Sequence, residues 1–136
     1  TSLVYQGNTS SSYGTGIVDN DIIMIAFDCA TGKMWAGRNG TWFNAPGTSN
    51  AGDPAAGTND SGKTITNTDR ELYTFYVGGT ASGGNQYSHI NFGHGYFGTT
   101  AVASANSDAN GLGVFEYAVP SGFYAVCSKN IQDYGG

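Results

Sequence analysis

The chain has 136 residues, of which 39% are hydrophobic and only 11% are charged, and its formal net charge is -5. At roughly 100–200 residues per domain this length fits one domain, and the 22 glycines favour turns and short strands over helices. Five scattered Lys and Arg residues are too few to displace phosphate counterions, and no apolar run approaches the ~20 residues of a transmembrane helix, so we expect no nucleic-acid partner and no membrane insertion.

The first predicted strands form a meander in the N-terminal third of the chain. Residues 22–27 are a continuous apolar run, which predicts a strand that is buried on both faces. A turn follows at 29–32, and the alternating residues 33–38 predict the returning strand of a hairpin. Asn39-Gly40 has the strongest preference for a two-residue hairpin turn, so we expect a third strand over 41–43.

The rest of the chain alternates polar loops with short strand-like segments. Small and polar residues predict loops at 44–71, 79–86 and 99–113, and long loops in compact domains are commonly functional. Further strands are predicted at 72–77, 87–92, 115–117 and 123–128. No segment shows helical periodicity over ten residues, so the predicted class is all-β, an antiparallel β-sandwich.

The two cysteines, Cys29 and Cys127, lie in the apolar, strand-like runs Ile-Ala-Phe-Asp-Cys and Tyr-Ala-Val-Cys. This setting favours buried free thiols, with a disulfide between them as the open alternative. Two cysteines are too few soft ligands for a structural metal site.

The chain offers few groups for catalysis. Glu71 and Glu116 are its two glutamates, and a glycan hydrolase on a lectin-like sandwich would need them as its carboxylate pair. His89 and His94 have no serine or cysteine nucleophile in a recognisable elbow motif beside them, so they fit polar positions at a strand end. We expect a non-enzymatic protein, and the hydrolase is the alternative that depends on the two glutamates.

Two loop patterns resemble ligand sites. Residues 57–64 match the phosphate-binding pattern G-x-x-x-x-G-K-[ST] letter for letter, but such a loop works between a strand and a helix, and the flanking residues favour neither. Asp53, Asp60 and Asp69 offer oxygen ligands without the spacing of an EF-hand. We expect no cofactor and no metal, and a calcium site in the 53–69 loop stays the open alternative.

Three successive strings resemble the core motifs of SPRY (B30.2-like) domains. In that family the corresponding segments read GD-x-I-G-x-A-x-D, G-K-I-W-F and K-N-G-x-W. Asn20 stands where the first motif usually has glycine. The strings in this chain are Asp21-Ile-Ile-Met-Ile-Ala-Phe-Asp28, Thr31-Gly32-Lys33-Met34-Trp35 and Arg38-Asn39-Gly40-Thr41-Trp42.

Later segments extend the resemblance to about residue 133. Residues 52–58 are similar to the loop that follows the turn, and residues 90–93 are similar to the family's V-N-F-G-Q strand. Residues 115–130 resemble the closing segment Y-x-P-P-x-G-F-x-A-L-C-T-x-N-L. Together with the loop at 106–113, this closing form is typical of SPRY-like domains in bacteriophage proteins.

The family's first strands have no counterpart in this reading of the chain. SPRY domains usually begin with several strands before a Tyr-Gly pair, which Tyr13-Gly14 matches. We therefore expect one SPRY-like domain over residues 1–136 that is incomplete at its N-terminus. A half-sandwich would expose apolar faces and open edges, which folded proteins avoid, so we expect a further segment of a longer protein or another chain to complete the sheets.

The resemblance implies binding rather than catalysis. We expect a binding or structural module of a phage virion, in a tail, fibre or surface protein assembled in the host cytoplasm, that acts in assembly or host-surface attachment. The alternatives are a purely structural capsid or tail cement protein and an intracellular SPRY protein-interaction domain of a cellular organism. Expected partners are other virion proteins or identical subunits, and a host surface protein or glycan. Aromatic and amide side chains suit such contacts, and the candidate contact residues are Trp42, Asn44, Tyr87 and Tyr96.

Overall fold

The structure is a computed structural model, and it describes residues 3–6, 9–45, 49–64 and 87–134. Short strands are the main regular elements of these ranges, every strand pairing is antiparallel, and the one helix they contain has seven residues, which confirms an all-β class. The elements are β1 Leu3–Gln6, β2 Thr9–Ser12, β3 Ile23–Asp28, β4 Lys33–Arg38, β5 Thr41–Trp42, β6 Tyr96–Phe97, β7 Thr100–Ala101 and α1 Ser128–Tyr134. They form three sheets, β1-β2, β3-β4-β5 and β6-β7, and the sandwich stays a prediction.

The β3-β4-β5 meander is the part that the sequence predicts best. β3 pairs with β4 from Ile23–Arg38 to Asp28–Lys33, and β4 pairs with β5 across the Asn39-Gly40 turn. Asn39 and Gly40 have φ angles of 50° and 85°, and positive φ at both central residues is what a type I′ turn requires. The predicted hairpin and the strand after it are confirmed, with β3 shifted by one residue.

Asp28 shapes the turn between β3 and β4. Its carboxylate accepts hydrogen bonds from the amides of Ala30 and Thr31 and from the Thr31 hydroxyl. These bonds, the Thr31 hydroxyl first, hold the pKa of Asp28 below its ordinary value. Cys29 leaves the sheet in this turn and is exposed, whereas Cys127 is half-buried, and both thiols are free. The prediction of free thiols is confirmed, but the prediction that they are buried is wrong.

The two faces of the meander are covered differently. On one face Trp35 is fully buried and its ring makes an edge contact with Phe123, with ring centroids 5.8 Å apart. On the other face Ile23 and Ile25 are 40% and 51% exposed. The prediction that β3 is buried on both faces is therefore wrong. An apolar run indicates that both faces of a strand could be covered, but it does not show whether another segment covers each face.

Tyr13 packs against the meander next to the end of β5. Its hydroxyl accepts a hydrogen bond from the Ala36 amide at 2.7 Å and donates to the Ala36 carbonyl oxygen at 3.2 Å. Its ring makes an edge contact with Phe43, with ring centroids 6.0 Å apart, and both residues are buried. Burial raises the pKa of Tyr13. Gly14 is needed beside it, because a Cβ there would lie 2.4 Å from the Phe43 ring.

The N-terminal residues form a hairpin that the sequence analysis did not foresee. β1 and β2 pair with Gln6 opposite Thr9, so strands do precede Tyr13-Gly14. The expectation that no strands precede Tyr13-Gly14 is therefore wrong for β1 and β2. Gly7-Asn8, which lie between β1 and β2 in the sequence, belong to the residue types that favour two-residue hairpin turns, and this signal was available.

Several strands predicted in the second half are not formed. Residues 87–92 are irregular, residues 115–117 contribute one bridge between Phe115 and Asn106, and residues 123–127 are irregular before α1 begins at Ser128. In the last of these segments the Ala125 amide donates to the Asp108 side chain, and the Phe123 amide donates to the Pro120 carbonyl oxygen, so neither amide pairs with a neighbouring strand. The predicted strand 72–77 and the predicted loop 79–86 lie outside the described residues.

Candidate functional site

A groove of about 340 Å³ opens on the Trp35 side of the meander. Three segments form it: the β3-β4-β5 strands, the turn that begins at Asp53, and the closing segment from Tyr117 to Pro120. Its walls are mainly aromatic, aliphatic and proline side chains, and it is open to solvent. The residues that line it are Met24, Gly40, Trp42, Asp53, Pro54, Ala55, Tyr117, Ala118, Val119 and Pro120.

Glycine at position 37 shapes the floor of the groove. Gly37 lies in β4 opposite Trp42 of β5. A Cβ at this position would lie 2.6 Å from the terminal methyl group of Met24 and 2.5 Å from a backbone oxygen of β5. The missing side chain therefore lets Met24 reach across the sheet towards Trp42.

Two further glycines hold the aromatic walls. A Cβ at Gly40 would lie 3.0 Å from the ring of Tyr117, so this ring packs directly on the β4–β5 turn. Gly52 donates a hydrogen bond to the Trp42 carbonyl oxygen at 3.2 Å, and a Cβ there would lie 3.0 Å from the Trp42 Cβ. The positions of Trp42 and Tyr117 are thus fixed by close backbone contacts.

The wall that contains Asp53 is fastened to β4. Lys33 Nζ donates to the Gly57 carbonyl oxygen at 2.7 Å, Trp35 Nε1 donates to the Thr58 carbonyl oxygen at 2.9 Å, and the Ser61 amide donates to the Met34 carbonyl oxygen at 2.9 Å. Residues 57–61 of the predicted long loop are therefore fastened to β4. Residues 54–57 form a turn, so the phosphate-binding pattern at 57–64 lacks the preceding strand that it needs.

Asp53 is the one charged residue in the lining of the groove. Its backbone pairs with Thr58 through hydrogen bonds of 3.0 and 3.1 Å, and its Oδ1 accepts the Ala56 amide at 3.0 Å. The ion pairs found among the described residues all lie elsewhere: Lys33–Asp60, Arg38–Asp21 and Lys129–Asp133. The groove therefore carries a fixed carboxylate without a neutralising cation from these residues.

Asp108 fixes the closing segment behind the opposite wall. This buried carboxylate accepts the amides of Asn110 and Leu112 on Oδ1, and the Ala125 amide and the Asn130 side-chain nitrogen on Oδ2. Burial by itself would raise the pKa of Asp108, but these hydrogen bonds favour the charged form more strongly and the pKa lies below its ordinary value. The segment at 106–113, predicted to be part of an exposed polar loop, is thus anchored at its centre.

One of the four predicted contact residues lies in the groove, and that residue is Trp42. Asn44 instead bonds Ser49 through its side chain and through its amide at 3.2 Å. Tyr87 is 80% exposed, and Tyr96 of β6 is 48% exposed; neither lines the groove. Contact of these four residues with a ligand or partner stays a prediction.

Sequence reasoning did not single out Tyr117, Pro120 and Asp53 as contact residues. A signal existed, because Asp53-Pro54 and the 115–130 segment both belong to the strings that resemble SPRY motifs. What the sequence could not show is that these two distant segments meet beside Trp42.

The candidates for catalysis and metal binding do not come together in the described part of the chain. Glu116 Oε2 accepts the Ala103 amide at 2.6 Å, while Glu71 and Asp69 lie outside the described residues. Within those residues there is no group of three His, Cys, Asp or Glu side chains that could hold a metal ion. No helix found there is long and apolar enough to cross a membrane.

Comparisons of the chain with protein-family models, curated proteins and solved structures found no match.

Proposed function

We propose that the protein is a non-enzymatic binding module of the SPRY type that acts in a phage virion, in assembly or in host-surface attachment. The observation that carries the proposal is the groove beside Trp42: it is apolar, aromatic and open, and it is built on the turn that corresponds to the K-N-G-x-W motif. Close backbone contacts and hydrogen bonds to β4 hold its walls in place, which suits recognition of a partner, since preformed sites lose less entropy on binding.

Local backbone geometry supports the SPRY resemblance. Asn20, which occupies the place of a motif glycine, has a φ of 69°, a left-handed conformation that glycine adopts freely and asparagine tolerates. The Tyr13-Gly14 pair packs on Phe43, so the residues that match the family's Tyr-Gly pair hold the meander together.

We extend the proposal to a sandwich in which the meander is one layer. The support is the exposed face of β3, where Ile23 and Ile25 are partly uncovered. Burying an isoleucine is worth about 1.5–3 kcal/mol, so a second layer on this face would stabilise the fold. The same face supports the alternative of a structural cement protein, which would bury it permanently against a neighbouring virion subunit.

Photocrosslinking in assembled particles tests the proposal and separates it from the cement alternative. The photoreactive residue p-benzoylphenylalanine replaces Ala55 in the groove wall, Ile25 on the uncovered face, or the exposed Ala109 as a control. Crosslinks from position 55 to a virion protein, to an identical subunit or to a host surface molecule are expected. Crosslinks from position 25 alone would favour the cement protein. A chain that does not co-purify with particles would refute the virion role.

A further inference from the structure

We propose that the groove binds a cationic side chain, arginine or lysine, of a partner polypeptide. The charged group lies at Asp53, and the aliphatic stem lies along Trp42 and Tyr117. This inference rests on the proposed function, because it names the chemistry of the occupant of the same groove.

Charge complementarity is the first argument. Asp53 is exposed, it is the one charged residue that lines the groove, and none of the ion pairs among the described residues includes it. Its Oδ1 is occupied by the Ala56 amide, which orients the carboxylate and leaves Oδ2 for an incoming donor. The chain as a whole carries a net charge of -5, so approach of a basic segment is favoured at long range.

The walls of the groove are the second argument. Lysine and arginine bury their stems along apolar surface while the charged head stays hydrated, and the lining offers the half-buried Met24 and Pro120 for such contacts. The rings of Trp42 and Tyr117 add cation–π attraction for a head group within about 6 Å of a ring centre. A neutral alkyl chain would leave Asp53 without a partner.

The scarcity of polar groups favours a polypeptide over a glycan. Among the side chains that line the groove, those of Asp53, Tyr117 and Trp42 carry hydrogen-bonding groups. A sugar ring presents hydroxyl groups around its whole edge, and these three side chains offer it few directed hydrogen bonds. The volume of about 340 Å³ is at the small end for ligand pockets and suits one or two side chains.

The experiment uses the two tryptophans as reporters of where binding occurs. Trp35 is fully buried and Trp42 lines the groove, so a ligand in the groove changes the emission and the acrylamide quenching of Trp42. The probes are hexapeptide mixtures with one fixed position, free of aromatic residues, in which that position is arginine, lysine, citrulline, norleucine or glutamate. Citrulline keeps the shape of arginine without its charge. A maltohexaose titration serves as the glycan arm.

The variants are Asp53→Asn and the matched control Asp19→Asn, which removes the same charge at an exposed turn residue outside the groove lining. We expect the arginine and lysine mixtures to bind about three- to tenfold more tightly than the citrulline and norleucine mixtures. Asp53→Asn should abolish this preference, whereas Asp19→Asn should keep it. Higher salt should weaken the preference, as expected for a surface charge pair.

The outcomes separate this inference from the proposed function. Peptides that perturb Trp42 without a preference for a cation, or a preference that survives in Asp53→Asn, would overturn the cationic occupant and leave a peptide-binding groove. Binding of maltohexaose alone would overturn the polypeptide as the occupant. If no probe perturbs Trp42 in a chain that retains its folded circular dichroism spectrum, the groove does not bind peptides, and both the inference and the proposed role of the groove fail.

Discussion

Replacing Asp108 by asparagine tests how the wall behind Tyr117 is held in place. Each carboxylate oxygen of Asp108 accepts two hydrogen bonds, from Asn110 and Leu112 on one side and from Ala125 and Asn130 on the other. In either orientation the amide nitrogen of an asparagine would face two N–H donors. At about 1–2 kcal/mol for each buried donor left without an acceptor, the free energy of unfolding should fall by about 2–4 kcal/mol.

Urea denaturation at pH 7, followed by the emission of the buried Trp35, measures this change. The matched control is Asp133→Asn, which removes an exposed carboxylate paired with Lys129 on α1 and should change stability by less than about 0.5 kcal/mol. Hydrogen exchange of the Ala125 amide gives a second readout. This amide should be protected in the wild type and should exchange at least tenfold faster in Asp108→Asn, even if the variant is too unstable for a full denaturation curve.

The pH dependence of stability gives a second test of the role of Asp108, because its direction can be predicted. The pKa of Asp108 is lowered in the folded state, so the carboxylate stabilises the fold above the ordinary carboxyl pKa of about 3.9, and this contribution is lost as the pH falls through the lowered value. The stability difference between wild type and Asp108→Asn should therefore be largest near neutral pH and shrink in acid. Equal stability of the two proteins at pH 7, or a difference that grows in acid, would refute the reasoning.

Three further predictions concern the core, the backbone and the thiols. Tyr13→Phe removes the acceptor of the half-buried Ala36 amide, so the free energy of unfolding measured in urea should fall by about 1–2 kcal/mol. Because burial raises the pKa of Tyr13, the wild type should also lose stability as the pH rises past about 10, a component that the variant lacks. Gly52→Ala places a Cβ 2.1 Å from a backbone oxygen and should lower the thermal midpoint more than Gly122→Ala does. Gly122→Ala has nothing within 4 Å of its Cβ but a φ of 84°, and it should cost about 1–2 kcal/mol. The reverse order of the two midpoints would contradict the close approach at Gly52. Cys29, which is exposed, should react with Ellman's reagent faster than the half-buried Cys127, and simultaneous reaction of both thiols would contradict these positions.

The meander could be predicted from sequence because its signals are local. An apolar run, an alternating strand and an Asn-Gly pair act within about 20 residues, and the structure places β3, β4 and β5 where these signals indicate. The segment at 123–128 shows where prediction from local signals fails. Its apolar residues indicate a strand, but the Ala125 amide is taken by Asp108, a residue 17 positions away whose role no local pattern reveals.

Of the residues that line the candidate site, Trp42 alone was predicted from the sequence as a contact residue. Trp42 follows the hairpin turn and was named from the sequence as a contact residue, and it is half-buried in the groove lining. Tyr117 reaches the groove because Gly40 has no side chain beneath its ring, and Asp53 reaches it because the turn after it is fastened to Lys33 and Trp35. Such contacts depend on segments about 20 to 80 residues apart, and a single sequence carries no signal for them.

The hydrogen bonds that fasten residues 57–61 to β4 have a consequence for the order of folding. The hairpin between β3 and β4 closes over a four-residue turn, and hairpins of this kind form in about 1–10 μs. The bonds from Lys33 and Trp35 to Gly57 and Thr58 span 23 or 24 residues, and the bond between Tyr13 and Ala36 spans 23. Long loops must be closed before these bonds form, which slows folding. The meander can therefore form first, and the indole N–H of Trp35 then stays without its native acceptor until the distant turn arrives.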